Sequence, residues 1–404
     1  MRILGLPGGA TSCDYYRVEK PLEALVQAGI AETYIPPIEN GNRQARVGDF
    51  TEEEEKELLR GKEGWDAVSK IRDFRRLVDV LDYDLIVFQR QPNEEVYKLI
   101  ARAREEGVKT VFDMDDDAFN IPPTNPNYLM WGRDARKISN IYLSIKKIGG
   151  MPALWKDLSL DQVIENARKT RDGLFLNIRS ADLVTTTTPA LAGVYKRLRS
   201  DVVVVPNQMC PEDWEDLKPI EHPGEIWLGW AGTHTHFDDL KLLQKVVPAI
   251  LERYPEISFV IAGFPKAKEL LFDGYADHRV LTFPWTDIKG YKNYLASFDV
   301  VLAPSYPCKF NEGKSDIRVL EAGMVRRPVV GSPTTYGATI RESKGGLVAK
   351  RQVEWVKALS RLIEDKGLRQ RMGENLGNYV RTHRTYRANV HLWAEAYSKL
   401  IGRC

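Results

Sequence analysis

Short apolar runs rich in β-branched residues alternate with amphipathic helical patterns along most of the chain. This alternation is typical of parallel sheets whose strands are joined by crossover helices. The predicted strands form two groups, RILGLP, DLIVFQR, KTVFDMD, ADLVTTTT and DVVVVP in the first half and EIWLGWAG, ISFVIAGF, RVLTFPW, FDVVLAPS and RPVVGSP in the second. The pattern therefore predicts an α/β protein with two similar sheet-containing halves.

The segment PNQMCPEDWEDLKPIEHPGE separates the two halves. Its prolines and acidic residues follow no helical or strand period, so it reads as an interdomain linker. We expect a first domain over residues 1–206, a second over residues 224–375, and closing helices over residues 376–404.

Two regions interrupt the alternation in the first half. Residues 34–70 contain TEEEEKELLRGK, in which Thr51 is expected to cap a solvated helix. Residues 128–172 form a longer helical insertion in which aromatic and basic residues interleave. That insertion is either a ligand or membrane face, or an ordinary packed and solvated region.

Length and composition agree with a two-domain globular protein. The 404 residues suffice for two cores, and the contents of 43% hydrophobic and 28% charged residues are typical of globular chains. The 58 basic and 56 acidic residues leave a net charge of +2, which does not favour a polyanion-binding protein. No run of about 18 apolar residues occurs, and the start reads as a strand, so we expect a cytoplasmic protein without a transmembrane segment.

Three strand-to-helix turns carry candidate chemistry, because ligands of parallel sheets collect at the carboxyl ends of the strands. The first turn is GLPGGATSCDYYR, where Gly8 and Gly9 permit a tight turn and close approach to a phosphate or sugar. The segment lacks the GxGxxG spacing, so a purely structural turn remains an equal alternative.

The second turn is GWAGTHTHFDDL. Gly232 ends a predicted strand, and Thr233, His234, Thr235 and His236 are expected to present amides and side-chain donors in one direction. Two of the six histidines of the chain lie in this one turn, which favours ligand binding. Metal binding is the alternative, although no third ligand follows at a suitable spacing.

The third turn lies in FNEGKSDIRVLEAGM. Gly313 allows close backbone approach, Lys314 adds a mobile cation, and either Ser315 or Asp316 is expected to cap the following helix. These features predict an anion site suited to a diphosphate.

Within that helix, Ile317, Leu320 and Met324 form one apolar stripe. Lys314 and Glu321, seven residues apart, are expected to stack beside it. A carboxylate at this border either accepts paired hydroxyls such as those of a ribose or forms a surface pair with Arg318.

The order of these segments resembles that of the GT-B glycosyltransferases. GWAGTHTHFDDL followed by FNEGKSDIRVLEAGMVRRPVVGSP is similar to the retaining family 4 group of bacterial and phage type, as are YYRVEKPLEAL, VFDMDDDAFNIP and ADLVTTTTPAL leading to VVVVPNQM. The resemblance implies two Rossmann-like domains facing across a cleft, with the donor held chiefly by the second domain and the acceptor by the first. It also implies that the C-terminal helices over 376–404 cross back to the first domain.

The resemblance implies a hexosyltransferase-like enzyme that uses a UDP-sugar or GDP-sugar, with retention. Glu321 corresponds to the ribose-binding glutamate, Lys314 to the cation on the diphosphate, and His236 and Asp239 to a histidine and an aspartate of the first C-terminal turn. One departure is Gly313, which occupies the position of a further family glutamate; Glu312 lies one step away.

The complete set of expected site residues follows from the turns and the resemblance together. Expected catalytic residues are Lys314, His236 and Asp115; donor-binding residues are Gly8, Gly9, Gly232, Thr233, His234, His236, Trp285, Lys314, Ser315, Asp316, Ile317 and Glu321; acceptor-side residues are Tyr15, Tyr16, Arg17, Asp115 and Asp116.

The acidic run DMDDD at 113–117 contains the DxD pattern of metal-dependent sugar transfer. The resemblance implies instead that lysine, histidine and helix dipoles neutralise the diphosphate, so we expect no metal site and no cofactor besides the donor. Asp115 and Asp116 are then expected to orient hydroxyls, with a helix-capping acidic turn as the alternative.

The sequence leaves the acceptor open among a small molecule, a glycan, a protein and a modified DNA base, and it suggests a monomer or weak dimer. A nucleotide-sugar 2-epimerase of the same fold and a non-catalytic sugar-binding module are the alternative functions.

Overall fold

The computed structural model describes residues 1–8, 12–35, 38–39, 42–43, 83–147 and 157–402. Gly9 and the predicted helix at Thr51 lie outside these residues. The chain divides into two compact units, the first comprising Met1–Phe119, Leu129–Pro206 and Asn389–Cys404, and the second Asn120–Tyr128 and Asn207–Ala388.

Within the described residues, the first unit contains a six-stranded parallel sheet in the order β2-β1-β5-β6-β7-β8. Its strands are β1 (Arg2–Leu6), β2 (Glu32–Tyr34), β5 (Leu85–Gln89), β6 (Lys109–Met114), β7 (Leu183–Thr186) and β8 (Val202–Val204); β3 (Ile38–Glu39) and β4 (Asn42–Arg43) form a separate antiparallel pair. The five strands predicted for this half are confirmed, and the edge strand β2 is an addition.

The helices of the first half of the chain connect and cover these strands. They are α1 (Ser12–Asp14), a π-helical segment (Tyr15–Glu19), α2 (Lys20–Gln27), α3 (Glu94–Glu105), α4 (Tyr128–Trp131), α5 (Ala135–Lys147), α6 (Leu160–Ser180) and α7 (Pro189–Tyr195). Helix α6 begins with a capping box between Ser159 and Gln162. In the insertion predicted over 128–172, Tyr128 and Tyr142 are buried, which favours the packing interpretation of that region.

The second unit contains, in its described residues, a parallel sheet in the order β11-β10-β9-β12-β13-β14. Its strands are β9 (Ile226–Ala231), β10 (Ile257–Ala262), β11 (Val280–Phe283), β12 (Val300–Ala303), β13 (Val329–Gly331) and β14 (Gly346–Val348). All five predicted strands are confirmed, and β14 extends the sheet. The two parallel sheets with flanking helices confirm the predicted α/β class.

The helices of the second unit flank this sheet. They are α8 (Phe237–Lys241), α9 (Val246–Arg253), α10 (Ala267–Leu271), α11 (Ile288–Ser297), α12 (Lys309–Glu312), α13 (Ile317–Met324), α14 (Pro333–Ser343), α15 (Gln352–Glu364) and α16 (Lys366–His383), with short 3-10 turns at Pro211–Trp214 and His234–His236. Trp230, Phe259, Leu302, Trp355 and Leu359 are fully buried in the resulting core. None of the described helices in the chain is long and apolar enough to cross a membrane.

The predicted tail over 376–404 begins too early. Helix α16 packs on α13, where a Cβ on Gly323 would lie 2.6 Å from Val380 Cγ2, so glycine permits the close helix contact. The chain returns to the first unit only at Asn389. There the last helix, α17 (Tyr386–Leu400), contributes the buried Trp393 and Tyr397.

The predicted linker after Pro206 is also a packed part of the second unit. The Met209 amide donates to the Arg384 carbonyl at 2.8 Å, and the Tyr386 amide donates to the Met209 carbonyl at 3.0 Å. Trp214 is fully buried. The backbone hydrogen bonds and the buried Trp214 side chain therefore pack this segment into the second unit. The sequence did not indicate this packing, because the segment has no helical or strand periodicity.

Candidate functional site

The candidate donor site lies in the second sheet, at the point where the order of strand addition reverses. Strands β9 and β12 are neighbours, and the strands that follow each of them extend the sheet in opposite directions. Such a switch point opens a crevice at the carboxyl edge of a parallel sheet. The turns after β9 and β12 both end at this crevice.

Asp239 ties the two turns together. Its Oδ1 accepts hydrogen bonds from the Tyr306 amide at 2.7 Å and from Asn311 Nδ2 at 2.8 Å. Its Oδ2 lies 2.8 Å from Nδ1 of His236. The carboxylate thus orients the histidine of one turn and fixes the backbone of the other, a role that the sequence did not predict for it.

The charge states of this pair follow from burial and hydrogen bonding. Burial opposes the charge of Asp239, but the hydrogen bonds from His236 and Tyr306 lower its pKa below the usual value. Burial lowers the pKa of His236, and the bond to Asp239 offsets only part of that effect. Because Asp239 is then ionised, Nδ1 of neutral His236 carries the hydrogen, and Nε2 is the ring nitrogen left for a ligand.

The turn from Gly232 to Thr235 is built by close backbone contacts. Gly263 has φ +91°, and a Cβ there would lie 2.7 Å from the Gly232 carbonyl oxygen. The Gly232 amide donates to Ala262, and the His236 amide donates to Thr233. The expectation that the amides of Thr233 to His236 face a ligand is therefore wrong for the His236 amide.

The side chains of the same turn differ in their surroundings. The Oγ1 atoms of Thr233 and Thr235 lie 2.8 Å apart. The His234 ring lies 6.1 Å from that of Phe264, and burial lowers its pKa. The Thr235 carbonyl accepts a 3.3 Å hydrogen bond from Asn125, a residue of the second unit that sequence reasoning missed. The sequence feature that could have indicated this residue is the polar, proline-containing segment IPPTNPN, which follows the acidic run.

The predicted capping of α13 by Ser315 or Asp316 is wrong. Asp316 makes no side-chain cap, because its carboxylate pairs with Arg384 at 2.7 and 3.0 Å and accepts a bond from Thr339. Ser315 Oγ accepts from Asn207 Nδ2 at 2.9 Å. Both side chains form contacts within the second unit. These contacts reduce the support for their predicted role in binding the donor.

Lys314 lies before α13 and not within it. Its Nζ lies 4.5 Å from the centroid of the Phe310 ring, a cation–π contact that holds the ammonium near the turn. The expected stacking of Lys314 on Glu321 as helix neighbours is therefore wrong. Its charge contributes to the lowered pKa of His236, which places the ammonium in the field of that imidazole.

Helix α13 is enclosed rather than amphipathic, since every residue from Arg318 to Met324 is buried. Glu321 is 6% exposed, and its Oε2 accepts a hydrogen bond from the Tyr291 hydroxyl at 2.7 Å. Burial and the adjacent Glu321 raise the pKa of Tyr291. The surface pair between Arg318 and Glu321 is excluded, because neither side chain is on the surface.

Three further residues considered in the sequence analysis, Trp285, Ile317 and Glu312, are exposed or half-buried. Trp285, after β11, is 69% exposed, and Ile317 at the start of α13 is half-buried. Glu312 is exposed and pairs with Lys309 at 2.8 Å. That pair gives no support to Glu312 as a replacement for the family glutamate at Gly313.

In the first unit, Arg17 is an interior residue. It is 1% exposed, its Nε and Nη2 donate to Asp113 at 2.7–3.2 Å, and its Nη1 donates to the Val205 carbonyl at 2.7 Å. Tyr16 is 4% exposed, and half-buried Tyr15 meets it edge-on. The prediction that Arg17 and Tyr16 contact an acceptor is therefore wrong, because both are enclosed.

The acidic run separates into different environments. Asp113 faces Arg17, whereas Asp115 and Asp116 lie 3.3 and 3.8 Å from Arg90. Arg90 has φ +50°, an uncommon backbone conformation for a side-chain-bearing residue. Sequence reasoning missed Arg90. Its position directly after strand β5 could have indicated a site residue, because ligands collect at the carboxyl ends of parallel strands.

Burial raises the pKa of Asp115 against the opposing charge of Arg90. Burial likewise raises the pKa of Cys13, and the neighbouring charges of Asp115 and Asp116 raise it further. Within the described ranges, no group of three or more histidine, cysteine or acidic side chains is arranged to hold a metal ion.

Gly8 is part of an internal contact. Its amide donates to Asp14 at 2.8 Å and to Gln89 at 3.2 Å, and a Cβ there would lie 2.5 Å from the Gln89 carbonyl oxygen. Glycine is thus required where the turn after β1 meets β5, which favours the structural interpretation of this residue.

Comparisons with known proteins agree with this architecture. Residues 225–365 match the family model described as glycosyl transferases group 1. No curated protein matches the chain in sequence. Among solved structures, sucrose-phosphate synthase from Thermosynechococcus elongatus matches with a TM-score of 0.64 and 14% identity over 100% of both chains.

Two other solved structures have the same fold and contain bound nucleotides. The catalytic domain of starch synthase IV from Arabidopsis thaliana, bound to ADP and acarbose, has a TM-score of 0.64 and 12% identity over 100% of both chains. The Anabaena protein HepE in complex with UDP has a TM-score of 0.57 and 13% identity over 99% of this chain and 100% of that chain. The predicted resemblance is confirmed: the chain has the GT-B fold, and residues 225–365 match the group 1 glycosyltransferases.

Proposed function

We propose that this chain is a glycosyltransferase that transfers a sugar from a nucleoside-diphosphate sugar to an acceptor hydroxyl, with retention at the anomeric carbon. The observation that carries the proposal is the assembly at the β9–β12 switch point. There, the pair of His236 and Asp239, the ammonium of Lys314 and the buried carboxylate of Glu321 come from separate segments of the second unit. Cations and a diol-binding carboxylate are the groups that a nucleoside diphosphate requires.

The chemical roles follow from the charge that develops in the reaction. As the glycosidic bond to the diphosphate breaks, negative charge accumulates on the leaving oxygen, and fixed cations stabilise it most in a water-poor site. Lys314 serves that purpose in the proposal. The Nε2 atom of neutral His236 is an acceptor, so its proposed partner is a hydroxyl group of the donor sugar. Glu321 accepts ribose hydroxyls, and the exposed Trp285 offers a surface on which the base stacks.

The donor is a UDP-sugar or a GDP-sugar in this proposal. The UDP and ADP bound by two structural relatives support a nucleoside diphosphate, whereas the base and the sugar rest on the resemblance alone. Asp115 and Asp116 are proposed to orient acceptor hydroxyls, and Tyr15 of the same unit is proposed to contact the acceptor.

The test is incubation of the purified protein with a panel of UDP-sugars and GDP-sugars, without acceptor and with or without a chelator. Slow release of nucleoside diphosphate, unaffected by the chelator, is the expected result. Lys314→Ala should abolish the release, and Lys309→Ala, which removes an exposed lysine five residues earlier, should not.

Other outcomes would contradict the proposal in distinct ways. An isomerised nucleotide-sugar would identify a 2-epimerase, and tight binding without turnover in the presence of broad acceptor mixtures would identify a binding module. Loss of release on chelation, restored by Mg²⁺ or Mn²⁺, would overturn the metal-independent mechanism and return DMDDD to consideration as a DxD site.

A further inference from the structure

Arg318, the second residue of α13, is a buried arginine whose hydrogen-bonding capacity is not used. It is 8% exposed, and within the described part of the chain it forms neither an ion pair nor a hydrogen bond. Its Nη1 is enclosed and lacks a partner. Buried charges in folded proteins are ordinarily paired, so an unpaired guanidinium needs an explanation.

The guanidinium lies against the first turn of the candidate donor site. A Cβ on Gly232 would lie 3.2 Å from its Nη2 and 2.8 Å from Cζ2 of Trp230, so the missing side chain at Gly232 makes room for both groups beside the turn. The guanidinium also lies 5.9 Å from the centroid of the Trp230 ring. Arg318 is therefore next to Gly232, where the turn that continues to His236 begins.

The surrounding groups keep Arg318 charged without neutralising it. Burial opposes its charge, but nearby Tyr336, Tyr291, Asp239 and Glu321 raise its pKa above the usual value. The oxygens of Asp239 are bonded to His236, Tyr306 and Asn311, and Glu321 Oε2 is bonded to Tyr291. A fixed cation with unused donors thus lies between the histidine turn and the predicted ribose contact.

We propose that Arg318 binds the diphosphate of the donor and determines the preference of the site for nucleoside diphosphates over nucleosides. This inference rests on the proposed function, because it assigns a ligand to the same site. A planar guanidinium can donate two parallel hydrogen bonds to phosphate oxygens, which a lysine ammonium cannot match. Arg318 supplies one charge from the interior, and the half-buried Lys314 supplies a second from the turn before α13.

Calorimetric titration of UDP, UMP and uridine, and of the corresponding guanosine compounds, tests the proposal. Arg318→Lys keeps the positive charge but removes the two parallel donors of the guanidinium, and Arg318→Gln removes both the charge and these donors. We expect UDP or GDP affinity to fall about 10- to 100-fold, since hydrogen bonds to charged groups contribute about 1.5–3 kcal/mol each. Nucleoside affinity should change less than about twofold.

The matched control is Arg327→Lys. Arg327 is 7% exposed and Arg318 8%, but Nη2 of Arg327 donates to the carbonyls of Ile220 and Ala296 and its Nη1 lies 3.7 Å from Asp299, although its Nε is unpartnered. This variant should lower the melting temperature and leave the ratio of diphosphate to nucleoside affinity unchanged.

Gly232→Ala provides a second probe should the Arg318 variants fold poorly, because its methyl group would lie 2.8 Å from the Trp230 ring and 3.2 Å from Nη2 and would displace the guanidinium together with that ring. It should also lower diphosphate affinity selectively. Equal losses for nucleoside and diphosphate, or an unchanged preference in all three variants, would overturn the role of Arg318 alone. Failure of the wild-type protein to bind any nucleoside diphosphate would overturn both this inference and the proposed function.

Discussion

Arg17 and Arg318 are both buried arginines, one in each unit, yet their surroundings are opposite. Arg17 donates from three nitrogens, to Asp113 and to the Val205 carbonyl. Arg318 makes no hydrogen bond within the described residues, and its Nη1 is unpartnered. The guanidinium of Arg17 donates to protein groups and stabilises the fold. The unused donors of Arg318 are the ones that we propose to bind a ligand.

The sequence predicted other surroundings for both residues. It placed Arg17 on the acceptor side because Arg17 follows the first turn, and it considered Arg318 only as half of a surface pair. Position relative to a strand end was visible in the sequence, but the partner of each side chain was not. Asp113 lies 96 residues after Arg17, and such a pairing depends on strand order.

Breaking the Arg17 pair should have the largest effect of any single substitution proposed for this chain. Arg17→Met leaves the buried carboxylate of Asp113 without its ion-pair partner, although the Thr185 hydroxyl still donates to it, and removing one partner of a buried ion pair typically costs about 3–5 kcal/mol. Urea denaturation should show this decrease in the free energy of unfolding. The double variant Arg17→Met with Asp113→Leu should recover part of it. A decrease below about 1 kcal/mol, the usual upper value for exposed pairs, would mean that Arg17 is not an interior structural residue.

Lys314→Ala should act on turnover and not on stability. Loss of one donor to a developing negative charge typically costs about 2.7–4 kcal/mol, or about 10²–10³ in rate. Steady-state kinetics with the best donor should show this loss in kcat/KM, while the urea midpoint stays within error of wild type. A Lys314→Ala enzyme with more than half of wild-type turnover would remove Lys314 from the site.

Glu321→Ala separates the ribose contact from the diphosphate contact. It should weaken nucleoside and nucleoside diphosphate alike, by about 1.5–3 kcal/mol for each charge-assisted bond lost. Tyr291→Phe removes only the hydroxyl that contacts Glu321 and should have a smaller effect in the same titrations. If Glu321→Ala lowered only diphosphate affinity, its role would have to be exchanged with that of Arg318.

The fold was more predictable than the site for physical reasons. Strands such as LIVF and ISFVIA are long apolar runs bounded by turns, so their positions were evident, whereas β2 and β14 have three residues each and no distinctive run. The residue types of the donor site were also evident from GTHTH and GKS. Its internal bonds were not, since Asp316 to Arg384 and Asp239 to Tyr306 join residues 68 and 67 positions apart.

The smallest expected effect concerns the titration of His236, and it tests the field of Arg318 directly. Burial first, and then the charges of Arg318 and Lys314, lower the pKa of His236 in the folded protein, against the bond to Asp239. A histidine with a lowered folded pKa contributes stability that is present above its unfolded pKa of about 6.5 and is lost as the pH falls through the folded value. His236→Gln should therefore reduce the loss of unfolding free energy on acidification.

Arg318→Gln removes one of the repelling charges, so NMR titration should show the pKa of His236 rising toward its ordinary value. Arg17→Met changes a buried pair in the first unit and should leave that pKa unchanged wherever the protein remains folded. Equal responses of His236 to the two substitutions would mean that Arg318 exerts no special field at the histidine turn, and the contrast between the two arginines would then be one of packing alone.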